Sequence, residues 1–92
     1  MVIDPLPLSN LPVPPGDLLS EVLEDLQLSQ AELARRMGRP AQTISEIVRA
    51  RKTITAQTAL QLEDALGVPA HVWLNLEAMY QLALARQLRN AS

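Results

Sequence analysis

One stretch decides the fold of this chain: residues 29–49, which read SQAELARRMGRPAQTISEIVR. Ser29 followed three residues later by Glu32 forms a capping box, a pattern that begins a helix. We expect this helix to reach about Met37, because Gly38 follows it and glycine adopts the left-handed conformation at little cost.

A second short helix is predicted directly after this turn. Pro40 suits the first turn of a helix, and the helix is expected to end near Val48 or Arg49. Ala34 is small enough to let the two helices cross closely. The positions expected to attach both helices to the core are Leu33, Met37, Ile44 and Ile47. Two short helices joined by a tight turn containing glycine are typical of the helix-turn-helix unit.

Helices are also predicted on both sides of this unit. Asp17 to Leu26 carries leucine and valine at helical spacing, Thr55 caps a helix that ends at Gly67, and Pro69 opens the longest helix, to about Arg89. No strand pattern is evident. The sequence therefore predicts an all-α fold, a five-helix, lambda-repressor-like helix-turn-helix domain.

The N-terminus has a different composition. Five of the seven prolines lie within the first 15 residues, and proline lacks the N–H that helices and central strands require. We therefore divide the chain into a flexible proline-rich arm, residues 1–15, and a DNA-binding domain, residues 16–92, which ends in a dimerisation helix.

The composition argues against several classes of protein. There is no cysteine and only one histidine, His71, so thiolate metal sites and a Cys–His catalytic pair are excluded. No glycine-rich phosphate loop is present. We expect no enzymatic activity, no metal and no cofactor. The absence of a long apolar run or a basic leader favours a cytoplasmic protein without a membrane partner.

The net charge of −2 hides a strongly uneven distribution. Residues 35–52 contain six basic residues and one acidic residue, whereas the rest of the chain contains two basic and nine acidic residues. A concentrated basic region on an acidic body is a pattern of nucleic-acid binders. We therefore expect double-stranded DNA as a partner.

The second helix of the unit is the candidate recognition helix, whose first residues face base edges in the major groove. Gln42 can bind adenine at two points, and Glu46 can either accept from cytosine or orient Arg49. Arg39 is expected to reach outward to a phosphate, and Gln30 lies at a helix N-terminus suited to one. The predicted DNA-binding residues are Gln30, Arg39, Ala41, Gln42, Thr43, Ser45, Glu46, Arg49, Arg51 and Lys52.

The last helix has more apolar surface than a single small core can cover. At about 100° per residue its apolar side chains occupy several sides of the helix. A second copy of the chain across a two-fold axis is the simplest cover, although a helix threaded through the monomer core is an alternative. The predicted dimer-interface residues are Trp73, Leu76, Met79, Tyr80, Ala83 and Leu84.

Residues 28–48 resemble the Xre/Cro repressor-type helix-turn-helix, and the block VWLNLEAMY at residues 72–80 is similar to HigA-type antitoxins, a group also labelled virulence-associated protein I. The resemblance covers about residues 14–86. It implies a dimeric antitoxin that represses its own operon. It also implies a HigB-like partner, a toxin of the RelE-like class that cleaves mRNA on the ribosome.

Two other functions fit the same residues. One is a stand-alone Xre-type repressor without a toxin, which the absence of a small basic open reading frame beside the gene would favour. The other is a protein-interaction module that has lost DNA binding, in which Arg39 and Glu46 reflect that loss.

Overall fold

A computed structural model describes residues 12–91 of the chain. The all-α prediction is confirmed, since the described part consists of five helices and contains no strand: α1 Pro15–Leu26, α2 Gln30–Met37, α3 Ala41–Val48, α4 Ala56–Leu66 and α5 Ala70–Ala91. The predicted boundaries are close to these, and α1 begins two residues before Asp17. Most of the predicted arm, residues 1–11, lies outside the described residues.

Side-chain caps begin two of the helices where the sequence predicts them. The Ser29 hydroxyl accepts a hydrogen bond from the Glu32 backbone N–H at 3.0 Å, and the Thr55 hydroxyl accepts one from the Thr58 N–H at 3.2 Å. Each cap satisfies a backbone donor that has no partner inside the helix, which stabilises the helix by about 1 kcal/mol. The Glu32 carboxylate pairs with Arg35 and Arg36, so only half of the capping box forms.

The core lies where α1 to α4 meet the first half of α5. It is built from aliphatic side chains around one aromatic residue: Leu19, Leu23, Leu33, Ala34, Met37, Ile44, Ile47, Ile54, Ala59, Leu62 and Trp73. The predicted core positions of α2 and α3 are all in this set. Burial of each large side chain contributes about 1.5–3 kcal/mol, so this cluster is the main source of stability.

Trp73 belongs to this core. Its side chain is fully buried within the single chain, and its indole N–H donates to the Val68 carbonyl at 3.2 Å. A side chain without exposed surface cannot contact a second protein. The prediction that Trp73 lies in a dimer interface is therefore corrected, because the bulk of the indole is used to join α5 to the rest of the domain.

A close approach of α1 to the end of α3 fixes the angle between these helices. A Cβ atom at Gly16 would lie 2.3 Å from the Ile47 carbonyl oxygen and 2.6 Å from that of Val48. Both are backbone atoms, which cannot rotate away. Gly16 lies in the first turn of α1. Because it has no side chain, α1 can pack directly against the C-terminal end of α3.

The longest helix, α5, extends past the core. It has 22 residues and packs against α4 and α1. Beyond about residue 81 most of its side chains are exposed, including Leu82 and Leu88. None of the helices described has both the length and the apolar character to cross a membrane.

Candidate nucleic-acid interface

The turn between α2 and α3 has the geometry of a Schellman motif. Gly38 is left-handed, with φ of 66°, and its N–H donates to the Arg35 carbonyl at 3.2 Å. The next N–H, of Arg39, donates to the Ala34 carbonyl at 2.9 Å. These bonds satisfy two carbonyls that the end of α2 would leave unpaired. The turn therefore fixes the direction in which α3 leaves α2.

One side of α3 is buried and the opposite side faces solvent. Ile44 and Ile47 are buried in the core. At about 100° per residue, the other positions form a continuous face opposite them. Within this face Ala41 and Gln42 are exposed, while Ser45 and Glu46 are half-buried. These four residues are hereafter called the α3 face.

Thr43 does not belong to the α3 face. Its residue is only 7% exposed, on the same side of the helix as Ile44 and Ile47. The prediction that Thr43 contacts a base edge is therefore corrected. The reason is angular: Thr43 lies about 100° from Gln42 around the helix axis, which turns it toward the core.

Arg39 also differs from the prediction. Its guanidinium donates to Gln61 Oε1 at 2.8 Å, with a second contact to Thr58 Oγ1 at 3.5 Å. Both partners are on α4, so the side chain connects the turn to α4 and does not project away from the domain. The predicted phosphate contact of Arg39 is replaced by this structural role.

Three exposed cations follow the α3 face along the chain. Arg49 ends α3, and Arg51 and Lys52 lie in the loop that leads to α4. Among residues 12–90 no salt bridge involves any of the three. Ala50 between them is left-handed, with φ of 60°, and the Arg51 N–H donates to the Glu46 carbonyl at 2.7 Å. The basic segment 49–52 is therefore turned tightly around the end of α3.

The other basic residues are partly neutralised. Glu32 pairs with Arg35 and lies 3.8 Å from the Arg36 Nε, on the solvent side of α2. Gln30, in the first turn of the same helix, is exposed as the prediction requires. Positive charge is therefore less compensated beside the α3 face than on α2.

The predicted dimer face of α5 is accessible except at Trp73. Met79 is 67% exposed, and the remaining predicted residues, Leu76, Tyr80, Ala83 and Leu84, are each half-buried. Val72, Leu76, Met79 and Ala83 follow one another at intervals of three or four residues, so they form a single stripe along the helix. This stripe is apolar, and the described part of the chain covers it only partly.

Sequence reasoning missed two kinds of residue. Gly16 was placed before the first helix, although its position after Pro15 is a signal for a helix that begins at the proline. The α4 partners of Arg39, Gln61 and Thr58, had no recognisable signal because their contact joins residues about twenty positions apart. No group of three or more residues that bind metals is found within the described range.

Known proteins resemble the chain in sequence and in structure. Residues 19–73 match the helix-turn-helix family, HTH_3. The virulence-associated protein I of Dichelobacter nodosus is 40% identical over 74 residues, covering 79% of this chain and 68% of that protein.

Solved structures agree with this assignment. An addiction module antidote protein of the HigA family from Coxiella burnetii has a TM-score of 0.82 and 32% identity, covering 87% of this chain and 88% of that chain. The Pseudomonas aeruginosa antitoxin HigA, solved with the higBA promoter, has a TM-score of 0.82 and 34% identity, covering 88% of this chain and 89% of that chain. The chain therefore belongs to the Xre-like helix-turn-helix family, in the group that contains the HigA-type antitoxins.

Proposed function

We propose that this protein is the antitoxin of a toxin–antitoxin pair, binds its operator DNA as a homodimer and neutralises a RelE-like, mRNA-cleaving toxin. The observation that carries the DNA-binding part is the α3 face, an exposed polar face supported by Ile44 and Ile47 and followed by three cations without salt bridges. The similarity to an antitoxin solved with promoter DNA supports the same function.

Base recognition is assigned to the α3 face. Gln42 is exposed and has the donor and acceptor needed to bind adenine at N6 and N7. Ala41 offers a methyl group to a thymine methyl, and Ser45 can donate or accept. The Glu46 carboxylate has no partner among the described residues, and an acceptor at this position suits the N4 amine of cytosine.

Contacts to the DNA backbone are assigned to residues at the two edges of the α3 face. Arg49, Arg51 and Lys52 lie beyond its C-terminal end, where guanidinium and ammonium groups are suited to phosphates. Gln30 and the free N–H groups at the start of α2 favour a phosphate on the other edge. Such contacts position the protein on DNA and carry little sequence information.

The apolar stripe of α5 supports the homodimer. A two-fold pair of chains joined through Leu76, Met79 and Ala83 would bury the part of these side chains that the single chain leaves exposed. A dimer of this kind presents its two recognition helices to successive major grooves, ~34 Å apart on one side of the duplex. The operator is therefore expected to be a palindrome.

The toxin is supported by the similarity to HigA-family proteins and by the charge of α1. Asp17, Glu21, Glu24 and Asp25 are exposed on this helix, which contains no basic residue and forms no recorded salt bridge within the described range. An acidic surface of this kind suits a basic protein partner.

DNA titrations test the recognition face. With a duplex from upstream of the gene, Gln42→Ala should weaken binding by about 1–3 kcal/mol and relax preference at one base pair. Arg51→Ala should weaken binding to all sequences alike. It should also reduce the salt dependence of the affinity by the amount expected for about one phosphate contact. Gln87→Ala and Arg89→Ala, exposed on α5, are the matched controls. Unchanged affinity of Gln42→Ala would exclude the assigned face.

The dimer and the toxin need separate measurements. Met79→Glu should convert a dimer into a monomer in analytical ultracentrifugation, whereas Leu60→Glu, at an exposed leucine of α4, should not.

Co-expression with the product of the adjacent gene should yield a stable complex in which mRNA cleavage is suppressed. DNA binding without any such partner would favour the stand-alone repressor.

A further inference from the structure

Glu77 is the only acidic residue among residues 12–90 that is buried. It is 9% exposed, on the side of α5 that also carries Trp73. Its Oε1 accepts a hydrogen bond from the backbone N–H of Ile54 at 2.9 Å, and its Oε2 accepts one from Gln81 Nε2 at 2.7 Å. A buried carboxylate is costly unless it is hydrogen-bonded, and here each oxygen has a donor. Both bonds therefore contribute to keeping this charge inside the protein.

The bond to Ile54 holds one end of the loop between α3 and α4. At the other end, the Arg51 N–H donates to the Glu46 carbonyl at 2.7 Å. Lys52 and Thr53, between these two points, are exposed and make no hydrogen bond that the structure records. The course of the chain through Lys52 is therefore determined by its two ends, and within residues 12–90 Glu77 supplies the only side-chain acceptor from a distant helix.

The space beside Glu77 does not suit a ligand. A cleft of about 100 Å³ separates the loop from α5 and is lined by Pro15, Ala50 to Thr53, Glu77 and Tyr80, among others. Sites for small molecules usually occupy about 300–1,000 Å³. With both carboxylate oxygens already bonded, Glu77 has a structural use here and is not available to bind a guest.

We infer that Glu77 is a positioning residue for DNA binding, which fixes the basic segment 49–52 relative to α5 through the N–H of Ile54. The inference rests on the proposed function. Because α5 also carries the apolar stripe assigned to the dimer, this bond sets how far the phosphate contacts of each protomer lie from the two-fold axis. A hydrogen bond in the protein interior thus determines the spacing of contacts at the surface.

Loss of the Glu77 charge and loss of the Glu77 hydrogen bond should change DNA affinity in opposite directions, so the inference can be tested. Removal of a negative charge that lines the same cleft as Arg51 and Lys52 should strengthen DNA binding if only electrostatics matters. Loss of the bond to Ile54 should weaken binding, because Arg51 and Lys52 then lose their fixed places. A variant that keeps the bond without the charge separates the two effects.

The experiment compares three variants on the same upstream duplex across a range of salt concentrations. Glu77→Gln retains an acceptor for Ile54 and, with the Gln81 amide turned, a partner for Gln81, so it should bind DNA at least as well as the parent. Glu77→Ala should bind about tenfold more weakly, with a salt dependence smaller by one to two phosphate contacts. Glu63→Ala is the control, since Glu63 also accepts a backbone hydrogen bond, from the Ala70 N–H at 2.7 Å, but makes no hydrogen bond to the loop.

Three results would overturn the inference: Glu77→Ala binding as tightly as the parent, Glu77→Gln weakening as much as Glu77→Ala, or Glu63→Ala weakening equally. Amide hydrogen exchange of the free protein tests, independently of DNA binding, whether Glu77 holds the loop. Glu77→Ala should speed exchange at Ile54, and Glu63→Ala should not. If Ile54 exchanges freely in the parent protein, Glu77 does not hold the loop. If the parent binds no DNA, the proposed function fails while the exchange result still stands.

Discussion

The turn that leads into α3, the entry, and the turn that follows α3, the exit, have the same backbone geometry but different chemistry. At the entry, Gly38 is left-handed and the following N–H, of Arg39, bonds back to Ala34 at 2.9 Å. At the exit, Ala50 is left-handed and the following N–H, of Arg51, bonds back to Glu46 at 2.7 Å. Both ends are Schellman motifs, yet only the first has the glycine that this conformation favours.

The difference shows what supports each end. A left-handed alanine costs about 1–2 kcal/mol relative to its preferred conformations, and such a residue persists only where the surroundings determine it. The exit of α3 has these surroundings: Gly16 of α1 lies against Ile47 and Val48, and Glu77 of α5 holds Ile54. The entry depends on its own glycine, with Arg39 bonded to α4. The left-handed conformation at the entry is thus favoured by its own glycine, whereas that at the exit depends on tertiary packing.

The largest effect is expected from breaking the tertiary support of the exit. Gly16→Ala would place a methyl group 2.3 Å from the Ile47 carbonyl oxygen, so α1 must move away from α3. Overpacking of this kind costs about 1–3 kcal/mol in the free energy of unfolding. Urea denaturation measures it, with Ser20→Ala on the exposed side of α1 as control. Equal stability of the two variants would show that the close approach is unimportant.

A smaller loss is expected from the entry. Gly38→Ala adds a Cβ that meets no atom within 4 Å, so the cost is conformational and not steric. We expect the free energy of unfolding to fall by about 1 kcal/mol, because alanine resists a φ of 66°. Thermal denaturation measures the change. If Gly38→Ala were as damaging as Gly16→Ala, the entry would depend on more than the conformation of its glycine and the Arg39 contact to α4.

The smallest effect has the opposite sign. Ala50→Gly removes the strain at the exit, and this gain exceeds the extra entropy that glycine gives the unfolded chain. The net result should be a stabilisation of about 0.5–1 kcal/mol. Gln27→Gly, at the other left-handed position without glycine, φ of 57°, should behave alike. Destabilisation by Ala50→Gly in the same denaturation assay would mean that the alanine methyl contributes packing.

Sequence patterns were sufficient to predict the structure wherever it depends on hydrogen bonds between residues a few positions apart or on the spacing of apolar residues along a helix. Ser29 and Thr55 begin helices because their hydroxyls accept from an N–H three residues later, and Gly38 ends α2 because its backbone permits the turn. The spacing of Ile44 and Ile47 placed them in the core. The all-α fold and the face of α3 that carries Gln42 followed from these local rules, and the comparisons confirmed the family.

Tertiary structure alone decided which long side chains point inward. Arg39 bonds to Gln61, Trp73 fills the core and Glu77 holds Ile54, and each contact joins residues that are separated in sequence or could equally have faced solvent. Such contacts depend on the angles between helices, and these angles are set by the whole set of packed side chains. The sequence by itself therefore determined the helices and the turn between α2 and α3, whereas the packing of α1, α4 and α5 decided how α3 and its cations are held.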